Sequence, residues 1–273
     1  MSKENKVKTE DKNAGLTVST ADIQDASLPT TEVDSYSGDS EIAMPIEKGK
    51  SAPITRDDII LPTLRLAHNV GSLGEDFQKG SYVVDGQTQV TQFFPKDNRS
   101  TQIELTVLEI TKSFVENVPY PQVGKRLYDD KVVASEGKTI EYWTDDAGNR
   151  QPPHYFPTLD LRILVKRPTA ELETLDENGD KQKGEVPTLS FPFSYAGEDY
   201  AMLAWTLQRS GYSRAGKRIL SAFANKVFAC PHCGRFLLGS SMNEFNSNKT
   251  FVPELQYGAK HDEEFVDWCA TLV

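Results

Sequence analysis

Apolar and polar residues alternate with a period of two along several stretches of this chain, the period that puts successive side chains on opposite faces of a strand. The clearest is 103–110 (IELTVLEI), where Ile103, Leu105 and Val107 alternate with Glu104 and Thr106 and β-branched residues favour a pleated surface. Residues 155–166 (YFPTLDLRILVK) predict a second long strand. Shorter strands are predicted at 63–66, at 80–86 and at 141–144, the last running into a tight turn over 145–149 (DDAGN). Residues 188–195 (TLSFPFSY) predict a strand near a sheet edge, because Pro192 has no N–H to give to a ladder. Two closing strands are predicted at 236–241 and 250–253.

Elsewhere the period changes. Over 197–211, Tyr200, Leu203, Ala204 and Leu207 recur at helical spacing, which predicts a helix stopped by Gly211. A second helix or turn is expected over 213–224, with Ile219, Leu220 and Phe223 apolar, and a short C-terminal helix over 263–271, with Phe265, Trp268 and Cys269 on one side. Residues 68–79 form a Gly-rich loop, 169–185 a polar loop with a turn at 177–180. Residues 116–155 are rich in Pro, Gly and Asp and read as an excursion with one short hairpin. This order predicts a mainly β (α+β) fold: an OB-like β-barrel with a helical insertion near the C-terminus. It does not suit a βαβ fold, and no GxGxxG or GxxxxGK[ST] phosphate loop occurs.

The opening fifty residues lack both periods. They are rich in Ser, Thr, Asp, Glu and Lys, with Tyr36 as their one aromatic, and cannot bury enough apolar surface to offset the entropy of ordering. The chain therefore divides into a disordered acidic tail, 1–53, and a β-rich domain, 54–273. Hydrophobic residues are 38% of the chain, and the deficit sits in the tail. No apolar run reaches the length of a membrane span, and the charged N-terminus has no apolar core of a secretory signal. Three cysteines, two in one CxxC, are no disulfide framework; a reducing, cytoplasmic setting is expected. The sequons at Asn98 and Asn248 then carry no meaning.

Net charge is −10, which taken alone speaks against a nucleic-acid or membrane-surface binder. The distribution changes that picture. From Asn13 to Glu47 there are seven acids and no Lys or Arg; from Ala201 to Lys226 there are five basic residues and no acid. The basic stretch 209–218 (RSGYSRAGKR) interleaves Arg209, Arg214, Lys217 and Arg218 with Tyr212 and two glycines. Cations contact phosphates, a tyrosine stacks on a base, and glycines let a backbone approach closely. A solvated helix face would carry the same charges. Trp143, with Tyr142, Phe193, Tyr195 and Phe245, could extend a stacking surface, against core packing as the commoner role.

Cys230-Pro231-His232-Cys233-Gly234 is the most specific local motif. Two thiolates at this spacing can grip one metal ion, as in one knuckle of a zinc ribbon. A structural zinc site needs four ligands, and Cys269 and His261 are the candidates to complete it. The bland alternative is a hairpin tip with two unligated thiols. A redox role is disfavoured because the flanks, VFA and RFLLG, read as strand. No GxSxG or HExxH and no nucleophile beside a base occurs, so an enzyme is not expected.

The strand 189–193 (LSFPF), Trp205, the basic turn 212–218, the strand 236–240 and the segment 246–253 (NSNKTFVP) resemble a loosely defined set of tailed-bacteriophage proteins. Some are regarded as single-stranded-DNA-binding proteins of OB-like fold. The resemblance covers about a third of the chain and implies ssDNA binding as a replication or recombination accessory, in the host cytoplasm, with the acidic tail engaging replication proteins. Those proteins often carry the acidic tail at the C-terminus, whereas here the last four residues, Ala270 to Val273, are apolar. A structural or protein-interaction role, as a virion component or accessory factor, fits the net charge equally well.

Overall fold

The computed structural model describes residues 60–69, 71–119, 122–175, 181–245 and 248–273. The acidic tail and the turn at 177–180 lie outside the described residues. In chain order the strands are β1 (Leu64–Leu66), β2 (Tyr82–Val84), β3 (Thr88–Gln89), β4 (Phe93–Phe94), β5 (Arg99–Ser100) and β6 (Ile103–Glu116). The excursion carries β7 (Arg126–Leu127), β8 (Trp143–Thr144) and β9 (Arg150–Gln151). Then follow β10 (Tyr155–Lys166), β11 (Leu172–Leu175), β12 (Lys181–Gly184), β13 (Phe193–Tyr195), β14 (Glu198–Gln208), β15 (Gly234–Phe245) and β16 (Asn248–Lys260). Helices are α1 (Leu73–Asp76), α2 (Asp130–Ser135), α3 (Arg209–Gly211), α4 (Lys217–Ala224) and α5 (Glu263–Thr271), with a π-helical turn Tyr212–Gly216 joining α3 to α4.

One antiparallel sheet dominates, in the order β13-β14-β10-β6-β15, continued by β5 and β4, with β16 on the other edge of β15 and β7 on β6. Strand β10 shows why the alternation was readable. Leu159, Leu161, Ile163 and Val165 face the main core, while Phe156, Asp160 and Arg162 face outward. Each fully buried aliphatic here contributes roughly 1.5–3 kcal/mol over exposure. The fold is mainly β, as expected, and the sheet curls into a half-barrel that is only partly closed.

What fills the gap positions the site. β14, which β13 flanks only over Glu198–Tyr200, and β16 are not paired with each other, and the π-turn packs against both. Gly211 marks the crossing: a Cβ there would stand 3.3 Å from Leu207 Cδ2 on β14 and 3.9 Å from Pro253 Cγ on β16. At the other end of the gap β1 bridges to β14 through Thr63 and Ala204.

Two expectations are corrected. The stretch 197–211 is not a helix; most of it is β14, paired with β10 from Thr158↔Gln208 to Lys166↔Tyr200. Its Ala, Met, Leu and Gln are good helix formers, but burial follows a period of two: Ala201, Leu203, Trp205 and Leu207 are buried and their neighbours are not. Residues 188–195 are not one strand. Thr188–Ser190 is a 3-10 turn and only Phe193–Tyr195 is strand, at the sheet edge as Pro192 suggested. The C-terminal helix spans the predicted residues, capped by the Asp262 side chain, which accepts from the Phe265 amide at 2.8 Å.

Candidate nucleic-acid interface

The helical insert runs from Arg209 to Ala224 across the barrel gap. β14 ends at Gln208, and Arg209 takes φ 49°, left-handed backbone that costs a non-glycine residue about 1 kcal/mol or more. The turn sends the chain out of the sheet and into the helix. The insert then has two faces. Tyr212, Ala215, Gly216, Ile219 and Ala222 are buried; Arg209, Ser213, Arg214, Lys217 and Arg218 are exposed. Spacings of three to five residues keep the exposed set on one side. The apolar half supplies the driving force for docking, and the cationic half remains in water.

Among the described residues these cations have no carboxylate partner within ion-pair distance. Arg99, Arg126, Arg162, Arg167 and Arg235 form ion pairs, whereas Arg209, Arg214, Lys217 and Arg218 form none among the described residues. Two of them lie on rings instead. The Arg209 Cζ stands 4.8 Å from the Phe156 centroid, and the Arg218 Cζ 4.9 Å from that of Tyr257, whose hydroxyl donates to the Arg218 carbonyl at 3.2 Å. Arg214 and Arg218 also line a hollow of about 540 Å³ with Asn98, Arg99, Asn243 and Glu254. A second cleft, of about 600 Å³, opens in the barrel seam, where Arg65, His68, Gln208 and Ser210 stand with Trp205 and Phe251. Burial lowers the His68 pKa, which keeps its imidazole neutral near pH 7 and leaves Arg65 as the charge of that rim.

The structure redistributes the roles expected from sequence. Tyr212 is 8% exposed and belongs to the main core, and burial raises its phenol pKa; it holds the insert down and presents no ring to a base. The glycines also serve packing. A Cβ on Gly216 would meet Leu159 Cδ1 and Tyr212 Cδ2, each at 3.2 Å. Trp143 stands on the excursion hairpin, 37% exposed, with its ring on His154 at 5.0 Å and 15°. Tyr195 is not free for stacking on a ligand, because Phe265 and Trp268 of α5 cover it. Sequence reasoning missed Phe156, Tyr257 and Arg99. The signal for Phe156 was its outward place in the alternation of β10; Arg99 and Tyr257 come near the insert only through the β15–β16 hairpin.

The expected metal ligands do not assemble. Cys230 and Cys233 are bonded to each other across the 3-10 turn Pro231–Cys233. Cys269 is buried under α5 with Leu108, Leu164 and Phe265, and burial pushes its thiol up to about 12. The His261 ring stacks on Phe265 at 4.1 Å, with Nε2 2.8 Å from Thr106 Oγ1, and burial, its largest influence, pushes its pKa down to about 4. Only the His261 amide reaches the knuckle, donating to the Cys233 carbonyl at 3.1 Å. Among the described residues no three His, Cys, Asp or Glu side chains converge as a metal site. Among the same residues no helix is long and apolar enough to cross a membrane. Compared with protein-family models, curated proteins and solved structures, the chain finds no match in any of the three.

Proposed function

We propose that the protein binds single-stranded nucleic acid, ssDNA in the first instance, along the exposed face of the helical insert, and does so without catalysis. The observation that carries this reading is the row Arg209, Arg214, Lys217 and Arg218, exposed and, among the described residues, without carboxylate partners, in a segment that contains no acid. Unpaired arginines in a chain of net charge −10 keep their full charge for phosphate. Arg99, although paired with Glu254 at 3.4 Å, faces the same hollow. The bacteriophage resemblance points the same way and makes the protein a replication or recombination accessory, with replication proteins as further partners of the acidic tail.

The test is a fluorescence-anisotropy titration with a labelled oligo-dT at two salt concentrations. Each neutralised phosphate on a single strand contributes about 0.7 to the slope of log K against log salt. Four cations predict a slope near −3, on the order of −2.8. Protein that ignores the oligomer at low salt fits instead the structural or protein-interaction role, which the acidic net charge favours.

A further inference from the structure

We infer that a bound single strand runs beyond the helical insert onto the β8–β9 hairpin, linked through Phe156 and ending on the rings of Trp143 and Tyr142. This rests on the nucleic-acid reading above and deepens it by stating where bases stack.

With Tyr212 buried, the insert carries charge but no exposed ring of its own. The rings beside it are Phe156 and Tyr257, one under each of two arginines, at 4.8 and 4.9 Å. From Phe156 a series of contacts leads away from the insert. Tyr155 turns inward, into a cluster with Phe114 and Val133. Its two neighbours, His154 at the bend that opens β10 and Phe156 on the strand, are both half-buried and flank it on the chain. His154 in turn carries the Trp143 ring at 5.0 Å, nearly parallel at 15°. Beside Trp143, Tyr142 is 60% exposed, with the Arg150 guanidinium 4.5 Å from its centroid. Arg150, like the cations of the insert, forms no ion pair among the described residues. The series thus repeats one unit, a ring with a cationic or imidazole plate against it, from Tyr257 to Tyr142. Each unit offers a phosphate a charge and a base an aromatic plate.

The hairpin is held rigid, so little order is lost on binding. The Asp145 carboxylate accepts from the amides of Ala147 and Asn149 at 3.0 and 2.8 Å and from Gln151 Nε2 at 2.7 Å. Trp143 Nε1 donates to the Pro152 carbonyl at 3.0 Å. Asp145 is thereby turned into its own turn, while Asp146 and Glu141 stay exposed, and the indole is fixed in place. Nine helical steps from Arg209 to Arg218 span about 14 Å.

Tryptophan emission reads the far end directly. Trp143 is 37% exposed, while Trp205 is 4% exposed and Trp268 is packed among Tyr195, Tyr200 and Phe265. Oligo-dT of about 16 nucleotides is titrated into the full chain, with intrinsic emission and the anisotropy of the labelled oligomer followed together. Quenching is expected in the native protein and is expected to vanish in Trp143→Phe, which keeps a stacking ring and binds within about twofold of native. Tyr142→Ala with Trp143→Ala is expected to bind about tenfold or more weakly, with an unchanged salt slope, since stacking releases no counterions. If that pair loosens the hairpin, as its melting curve would report, Tyr142→Ala alone gives the same reading at an exposed ring, with a loss of about fivefold. Native protein that binds but shows no quenching, or binds as tightly after Tyr142→Ala, overturns the extended path and leaves the insert as the whole site. Native protein that does not bind at all removes both.

Discussion

Tyr212 shows how one residue type serves opposite purposes. In the sequence it stands among cations and glycines, a composition that suits base stacking. In the structure its ring closes the seam of the half-barrel, and the small Gly216 lets it lie close to Leu159. The choice is made by facing: Arg214 and Lys217 point out because Tyr212, Ala215 and Ile219 point in. Tyr212→Ala is therefore expected to cost about 3 kcal/mol or more of stability, the range for emptying an aromatic site in a core. Tyr212→Phe should cost well under that, because no hydrogen bond holds the hydroxyl in the core. Chemical denaturation of the two variants checks the order. Oligomer affinity measured where both are folded should be unchanged, in contrast to the loss that a stacking role predicts.

At the scale of elements, what could be read from sequence depended on whether local propensity and burial agreed. β10 and α5 lie where their patterns predict, because alternation, capping and burial coincide in each. β14 was misassigned because its residues favour a helix locally while the pairing with β10 over nine registered positions fixes a strand. The mistake moved the insert's start, and with it the meaning of the site: Arg209 to Arg218 is not a turn between two helices but the first part of a helical plug leaving a strand. The four cations were legible as a composition; that none of them forms an ion pair among the described residues, although Asp97 and Glu254 line the same hollow as Arg214 and Arg218, and that Phe156 and Tyr257 lie beneath two of them, needed the fold. The element itself can be tested as a unit. Lys217 and Arg218 are exposed, so Lys217→Ala with Arg218→Ala should shift the melting temperature little. The pair should weaken oligo-dT binding at low salt and reduce the slope of log K against log salt by about 1.4, two phosphates at about 0.7 each. An unchanged slope would mean that these charges stand away from the strand.

At the scale of the whole molecule, charge and core are kept apart. Among the described residues, the three hydrophobic clusters run from Leu64 to Leu272. Seven acids of that segment stand in sequence without a neutralising Lys or Arg, while the insert's cations stand without acids. Two such segments in one chain attract each other through solvent at low salt, and the attraction fades as the Debye length falls from about 30 Å at 0.01 M to about 8 Å at 0.15 M. Deleting residues 1–50 is expected to leave the melting temperature within a degree or two, because their polar, acidic composition offers little apolar surface to bury. The same deletion should tighten oligo-dT binding at low salt by removing an intramolecular competitor for the cations, and the gain should shrink toward physiological salt. A scrambled tail of the same composition should restore the weaker binding, since the competition depends on charge and tether length rather than order. A large fall in melting temperature would show that the segment is part of the folded core. Equal or weaker binding after deletion would instead assign its acids to a partner outside the chain, and the replication proteins become the next molecules to test against the isolated tail.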